Sequence, residues 1–396
     1  MLEDKIKILY PHYREVLDVA IDSTITGYII NGNTIRGSSD VMAFYGALDR
    51  IQGVEAIHQK AWIQERGVHI DMGRKYFSKT WFFNLIEVMA KQKLNTLQIH
   101  ISENEGFRLA LDGYESLCSP EHLTTLEMRD IIRYANYFYI KVIPSFDTPG
   151  HLKYILKDYP QYQLKGNESA LDITNPRARR FIKGMLGSVM ECFYTSQIIH
   201  IGGDEFIPFE NYGDYPQLEA YAKAHFSPDA TGVDTYIDYI NDIANYVYEY
   251  KKEVRVWNDG LYRTNQKPIV KLDKHVQVTY WTSWNQYMAP VETFIKHKHK
   301  VLNFMDQYLY FVLGEKAGYT YPTVDKIQAS FEPHTFPLRH ELASEQRVQV
   351  ISDTSEQYLG SYFAIWCDDP NALSQTAVLA MITPLIEAFG GKLWRD

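Results

Sequence analysis

The sequence predicts an α/β fold, a TIM (β/α)8 barrel preceded by a small N-terminal α/β domain. Three observations predict it. Short β-rich runs and stretches of helical spacing alternate eight times from about residue 67 to the C-terminus. Residues 1–65 are patterned differently, as one compact α/β unit, so the chain divides into 1–65 and a barrel at 66–396. Polar and aromatic residues gather where the β-rich runs end, and barrel sites lie at the carboxyl ends of the strands. A doubly wound open sheet is the rival. It would more naturally carry a glycine-rich phosphate loop after its first strand, and Asp71-Met72-Gly73-Arg74 is not one.

In the N-terminal unit, an apolar-polar stretch near Thr24 to Ile30 reads as a strand, Asn31-Gly32-Asn33 as a turn, and Asp40 to Ile51 as a helix. The barrel strands begin near Gly67, Thr96, Lys141, Ile198, Glu253, His275, Lys300 and Leu359. Between them the clearest helices run from Ser78 to Lys91, Thr124 to Tyr137, Pro176 to Phe193, Asp234 to Tyr250 and Asn371 to Phe389. Ser78 and Thr124 stand where N-caps belong, and Glu127, three residues after Thr124, completes a capping box.

Ile198 to Phe206 carries the densest chemistry. A β-branched run ends in Gly202 and Gly203 and then two adjacent carboxylates, Asp204 and Glu205, as a buried strand delivering acids to a cleft mouth should. The other strand ends supply Asp71 and Arg74; His100, Glu103 and Glu105; Asp147 and His151; Trp257 and Asp259; Trp281 and Trp284; Asp306, Tyr308 and Tyr310; and Trp366 with Asp368. Acids and aromatics collected at one mouth suit proton chemistry on a sugar, whose faces stack on flat apolar rings.

Composition narrows the classes further. A net charge of −9 without a Lys/Arg-rich run argues against a nucleic-acid groove or an anionic membrane surface. The three cysteines, Cys118, Cys192 and Cys367, are dispersed, giving neither a disulfide framework nor a zinc spacing. No stretch of transmembrane length and no export signal is evident, so a cytoplasmic location is the expectation, and Asn167-Glu168-Ser169 reads as a chance glycosylation sequon. The partner expected is a small oligosaccharide or glycoside; oligomeric state is open, a homodimer included.

His200-Ile-Gly-Gly-Asp-Glu205 resembles the His-x-Gly-Gly-Asp-Glu signature of glycoside hydrolase family 20, the β-N-acetylhexosaminidases. Arg66 to Arg74 is similar to the family's first barrel strand, Leu97 to Arg108 to its second, and Phe146-Asp-Thr-Pro-Gly-His151 to its third, with tryptophans on the fifth, sixth and eighth. The resemblance spans about residues 66 to 390, in order. It implies exo-acting, retaining hydrolysis in which the substrate's own 2-acetamido oxygen displaces the leaving group. No metal or cofactor is implied.

On that resemblance Glu205 is the general acid and base, Asp204 orients the acetamido group, and Tyr308 donates to its oxygen. Trp257, Trp281 and Trp366 wall the pocket, while Arg74 and Asp368 hold ring hydroxyls at the closed end. His151 belongs to the substrate pocket, and His100, Asp147 and His200 stand behind the carboxylates to orient and tune them. Two departures bear on hydroxyl recognition, and so on GlcNAc against GalNAc. The family's Tyr-x-Asp is Tyr308-Leu309-Tyr310 here, with Asp306 expected on the face of Tyr308, and its paired aspartates are replaced by Glu103-Asn104-Glu105. Two rivals remain: a carbohydrate-binding protein on an inactive barrel, and a metal-dependent hydrolase using His69, His100, His151, His200 and Asp204.

Overall fold

The computed structural model describes residues 2–208, 211–338 and 347–395. Each of the eight β-rich runs forms a strand: Glu65–Asp71, Thr96–His100, Lys141–Ser145, Ile198–His200, Glu253–Trp257, Gln277–Tyr280, Val301–Asn303 and Tyr358–Trp366. Neighbours pair in parallel in sequence order, and the seventh strand pairs with the eighth, which pairs with the first, closing the barrel.

Alternation along the strands sorts the interior from the helix-facing layer. Val68 and Ile70 join the large core shared with the helices, while Gly67, His69 and Asp71 alternate with them. In the fifth strand Val254 and Val256 join that core, and Arg255 and Trp257 alternate with them. A second apolar cluster inside the barrel joins Trp257, Leu302, Phe304, Tyr310 and Tyr362. Gly67 makes room for it, because a Cβ there would lie 2.2 Å from the Tyr362 ring. Toward the amino ends of the strands, Arg255 forms a two-pronged ion pair with Glu65 at 2.6 and 2.9 Å and donates to Gln277 and Tyr362. This buried pair crosses the barrel from the first strand to the fifth.

The helices begin as the sequence predicts. Ser78 caps Lys79–Lys91, and Thr124 with Glu127 forms the capping box of Thr125–Tyr137. Helices Pro176–Cys192, Gly232–Glu249 and Gln375–Gly391 fall within a few residues of expectation.

In the N-terminal layer, helix Asp40–Ile51 packs on a sheet whose hairpin joins Tyr28–Asn31 to Thr34–Gly37. The expected strand from Thr24 is shorter, beginning at Tyr28. Helix Leu2–Leu9 and strands Asp18–Ile21 and Ala56–Ala61 complete the layer and are additional to the elements expected from sequence. The fifth strand of this sheet, Trp394–Arg395, comes from the other end of the chain and pairs antiparallel with Ala56–Ala61. Trp394 is buried between the Tyr28 and Tyr45 rings of the N-terminal layer and the cations of Arg66 and Lys93 in the barrel.

Candidate active site

The fourth strand ends at His200, and the chain then turns through Gly202 at φ +72° and Gly203 at φ +92°. Gly202 is required there on two counts: its backbone is left-handed, and a Cβ would sit 2.5 Å from Asp147 Oδ1. Tyr236 clamps the turn by donating its hydroxyl to the Gly203 carbonyl at 2.5 Å. Glu205 is itself left-handed at φ +45°, held by its own N–H, which donates to Asp259 Oδ2 at 3.1 Å. The turn brings Asp204 and Glu205 to the wall of one pocket.

His151 stands between that pair and the second strand. Its Nδ1 lies 3.0 Å from Glu103 Oε1, and its Nε2 lies 3.4 Å from Asp204 Oδ2 and 3.5 Å from Glu205 Oε2. Burial opposes a charge on this ring, but Glu103 and then Asp204 outweigh it and hold the imidazole protonated. The hydrogen bond from His151 in turn draws the Glu205 carboxyl below the ordinary glutamate range. Glu103 is a hub as well, lying 2.7 Å from Arg74, which also pairs with Asp71 at 3.0 Å and Glu105 at 3.2 Å. Burial alone would raise the Glu103 pKa, and His151 and Arg74 drive it well below the usual value. Behind them His100 Nε2 lies 3.6 Å from Asp147 and 3.8 Å from Glu103. Despite its burial it is held charged, chiefly by Asp147, with a pKa raised to about 9. Asp147 and Asp259, both buried beside Asp204, are pushed above the usual aspartate range, first by burial.

Trp257, Trp281 and Trp366 line the same pocket with Tyr310 and Tyr319. The Trp281 and Tyr310 rings lie parallel, 6.0 Å apart, and Trp281 Nε1 donates to Asp259 Oδ1 at 3.0 Å. Asp259 therefore ties the backbone of the acid to one aromatic wall. Arg74, Glu103 and Asp368 line the pocket too, with the Arg74 guanidinium 5.9 Å from the Trp366 ring.

The expectation for the seventh strand is corrected. After Asn303 the chain does not stay extended but makes a one-turn helix, Asp306–Leu309, so the period of two fails there. Tyr308 packs against the main core with Lys326 Nζ 5.4 Å from its ring, and it does not line the pocket. Tyr310, opening the strand Tyr310–Val312 that pairs with the eighth barrel strand, does. Asp306 does not share a pocket-facing side with Tyr308; it is buried behind Tyr319, accepting that hydroxyl at 3.0 Å and Thr282 Oγ1 at 3.1 Å.

His200 stands on the barrel floor, with Trp257 4.5 Å away, Nδ1 accepting the Gly202 N–H and Nε2 paired with Thr279. It thus orients the glycine turn and a wall tryptophan rather than touching either acid. For the metal reading, His200 has both nitrogens engaged and His69 Nδ1 is bonded to Gln98, while His100 with Glu103 and Asp147, and His151 with Asp147 and Asp204, bring their donor atoms within 4.8 Å of one another.

Beyond Glu205 the pocket opens into a groove lined by Asn104, Asn167, Phe206, Arg263, Trp284 and Met288, among others. Glu205, His151 and Trp281 border both spaces, so the acid stands at their junction. Glu103 and Asp259 carried a sequence signal, each following a strand end by two or three residues. Tyr319, in the segment after Tyr310–Val312, carried none.

The catalytic-domain profile of glycosyl hydrolase family 20 matches residues 64–396. The chain is 28% identical over 266 residues to a lacto-N-biosidase of Bifidobacterium bifidum, covering 63% of this chain and 23% of that protein. It is 26% identical over 250 residues to the rat β-hexosaminidase subunit alpha, covering 57% of this chain and 44% of the relative. It thus spans less than half the length of these relatives. In structure it is similar to an exo-β-N-acetylglucosaminidase from Vibrio harveyi, with a TM-score of 0.79 at 17% identity, covering 100% of this chain and 68% of that one. A β-N-acetylhexosaminidase from Bacteroides fragilis aligns with a TM-score of 0.75 at 20% identity, covering 97% of this chain and 80% of that one. With an acid pair on the turn after the fourth strand of a closed barrel and a profile match across all eight strands, the chain belongs to glycosyl hydrolase family 20.

Proposed function

We propose that the protein is an exo-acting, retaining β-N-acetylhexosaminidase that removes a terminal β-linked GlcNAc or GalNAc by substrate-assisted catalysis. The observation that carries this reading is the pairing of Asp204 and Glu205 on one aromatic pocket, with Glu205 at its opening to the groove. A nucleophilic carboxylate would have to face the general acid across the bond, about 5 Å away, and neighbouring residues on one turn suit a different division of labour.

In that division the terminal sugar fills the pocket and the leaving group lies in the groove. The 2-acetamido oxygen attacks the anomeric carbon and the glycosidic bond breaks, its oxygen taking the proton of Glu205. Asp204 accepts the amide N–H, turns the group toward attack and offsets the positive charge that spreads over the oxazolinium ring. Water then adds to the anomeric carbon as Glu205 takes back a proton, and the configuration is retained. Trp257, Trp281 and Trp366 keep other water from the intermediate. Tyr310, rather than Tyr308, is the hydroxyl suited to hold the acetamido oxygen. Arg74 and Asp368 suit the ring hydroxyls of a terminal residue.

The His151 hydrogen bond favours the ionised form of Glu205, which is half exposed in the free protein. An aglycone seated over it removes water and raises its pKa toward that of a proton donor. The relatives named for hexosaminidase activity support the substrate class. The test is Glu205→Gln assayed with two β-GlcNAc glycosides. Hydrolysis of one with a poor leaving group should fall by roughly 100-fold or more, and of one with an activated leaving group far less. Equal losses on both would overturn the proton-donor role, and brisk cleavage of β-glucosides lacking the 2-acetamido group would overturn the amide displacement.

A further inference from the structure

Arg263 lies on the loop after the fifth barrel strand and lines the groove on the leaving-group side of Glu205. It is only 5% exposed, yet the described residues give its guanidinium a single hydrogen bond, from Nη1 to the Asp259 carbonyl at 3.3 Å, and its Nε has no partner. An arginine is seldom buried without a carboxylate beside it, because the lost hydration is otherwise uncompensated. The loop is tied to the neighbouring rim, formed by the segment after the sixth strand, through the Thr264 N–H, which donates to the Tyr287 carbonyl at 2.8 Å. On that rim Trp284 is 43% exposed at the groove, a flat apolar face without a core role. Asn104 and Asn167 line the same groove with uncharged amides.

We propose that this groove binds a leaving-group sugar bearing a carboxylate, a uronic acid, with Trp284 stacking on the ring and Arg263 reading the acid. The planar fork of an arginine matches a carboxylate with two parallel N–H donors, and a neutral hydroxymethyl group offers no such match. The chemistry also suits the site's charge balance. A uronate supplies the counter-charge that the described residues do not give Arg263. The inference rests on the glycosidase reading given above and specifies its substrate class.

The test uses matched disaccharides, β-GlcNAc linked to glucuronic acid and β-GlcNAc linked to glucose, at β1,3 and β1,4 linkages, with a chromogenic β-GlcNAc glycoside assayed alongside. The wild-type protein should prefer the uronic acid member of at least one pair by roughly 10- to 100-fold in kcat/KM. That preference should shrink as salt rises, because the groove is open to water. Arg263→Gln should collapse the ratio toward one, and Arg263→Lys should restore part of it. Trp284→Ala, at an exposed position, should lower both members of the pair together. Should the buried substitution prevent folding, the wild-type ratio and its salt dependence still decide. Turnover of the chromogenic glycoside with no preference for the acid at either linkage overturns the inference and leaves the activity standing. Equal losses on both members in a folded Arg263→Gln protein overturn it as well. Absence of turnover on the chromogenic glycoside overturns the activity itself, and the inference with it.

Discussion

Replacing His151 with glutamine should move the alkaline limb of the kcat/KM profile to higher pH. In the free protein the charged ring lies 3.5 Å from Glu205 Oε2, and its hydrogen bond is the largest influence lowering that carboxyl. At 3.5 Å, two unit charges interact by about 5 kcal/mol at an effective dielectric constant of 20 and about 1 kcal/mol in water. The Glu205 side chain is 58% exposed, so the lower end applies, about 1 to 2 kcal/mol, or about one pH unit. The sign follows from which form the cation favours. A depressed pKa keeps Glu205 ionised and unable to donate its proton, so loss of the cation raises the pKa and extends the protonated form to higher pH. The limb should shift upward by about one unit with a substrate whose leaving group needs protonation. With an activated leaving group it should not follow Glu205. A limb that stays in place, or moves to lower pH, with the demanding substrate would refute this account of how the acid is tuned.

Tyr310→Phe should cost about tenfold or more in kcat/KM on N-acetyl substrates, whereas Tyr308→Phe should cost less than about twofold, which steady-state kinetics on both variants would check. Glu65→Gln leaves the barrel-spanning Arg255 without its counter-charge. Loss of one partner of a buried pair should destabilise by about 3 kcal/mol, read as an earlier urea or thermal transition with KM unchanged, since the pair lies toward the far end of the barrel. Gly202→Ala should add about 1 to 2 kcal/mol of left-handed backbone strain and press a methyl group onto Asp147. Its kcat should fall by more than its melting temperature accounts for, and a variant with full activity would show the turn to be more tolerant than its geometry.

The barrel was legible because its strands are short β-branched runs bounded by capped helices, so both periodicities repeat. Ser78, Thr124 and Glu127 mark helix starts through local chemistry alone and could be read without tertiary information. The assignment of Tyr308 failed where that local logic stops. A single helical turn between Asn303 and Tyr310 rotates the side chains, and nothing in Phe304-Met305-Asp306-Gln307 distinguishes one turn of helix from a continued strand. Glu103 and Asp259 stood at the expected ends, but their roles depend on partners from other strands. Spacing cannot show that Asp259 accepts both the Glu205 amide and the Trp281 indole. The N-terminal layer was the least legible part, since strand Asp18–Ile21 is only four residues long and largely exposed.

Trp394 carries a practical consequence for dissecting the molecule. A fragment cut at residue 64, where the family profile begins, would keep the strand Trp394–Arg395 but discard its pairing partner Ala56–Ala61 together with Tyr28 and Tyr45. The orphaned indole would then face water beside Lys93, which would lose its contacts to Asp49 and Gln59 as well. Anyone seeking a minimal hydrolase should retain the first sixty residues, for the chain's two ends are sewn into one seam.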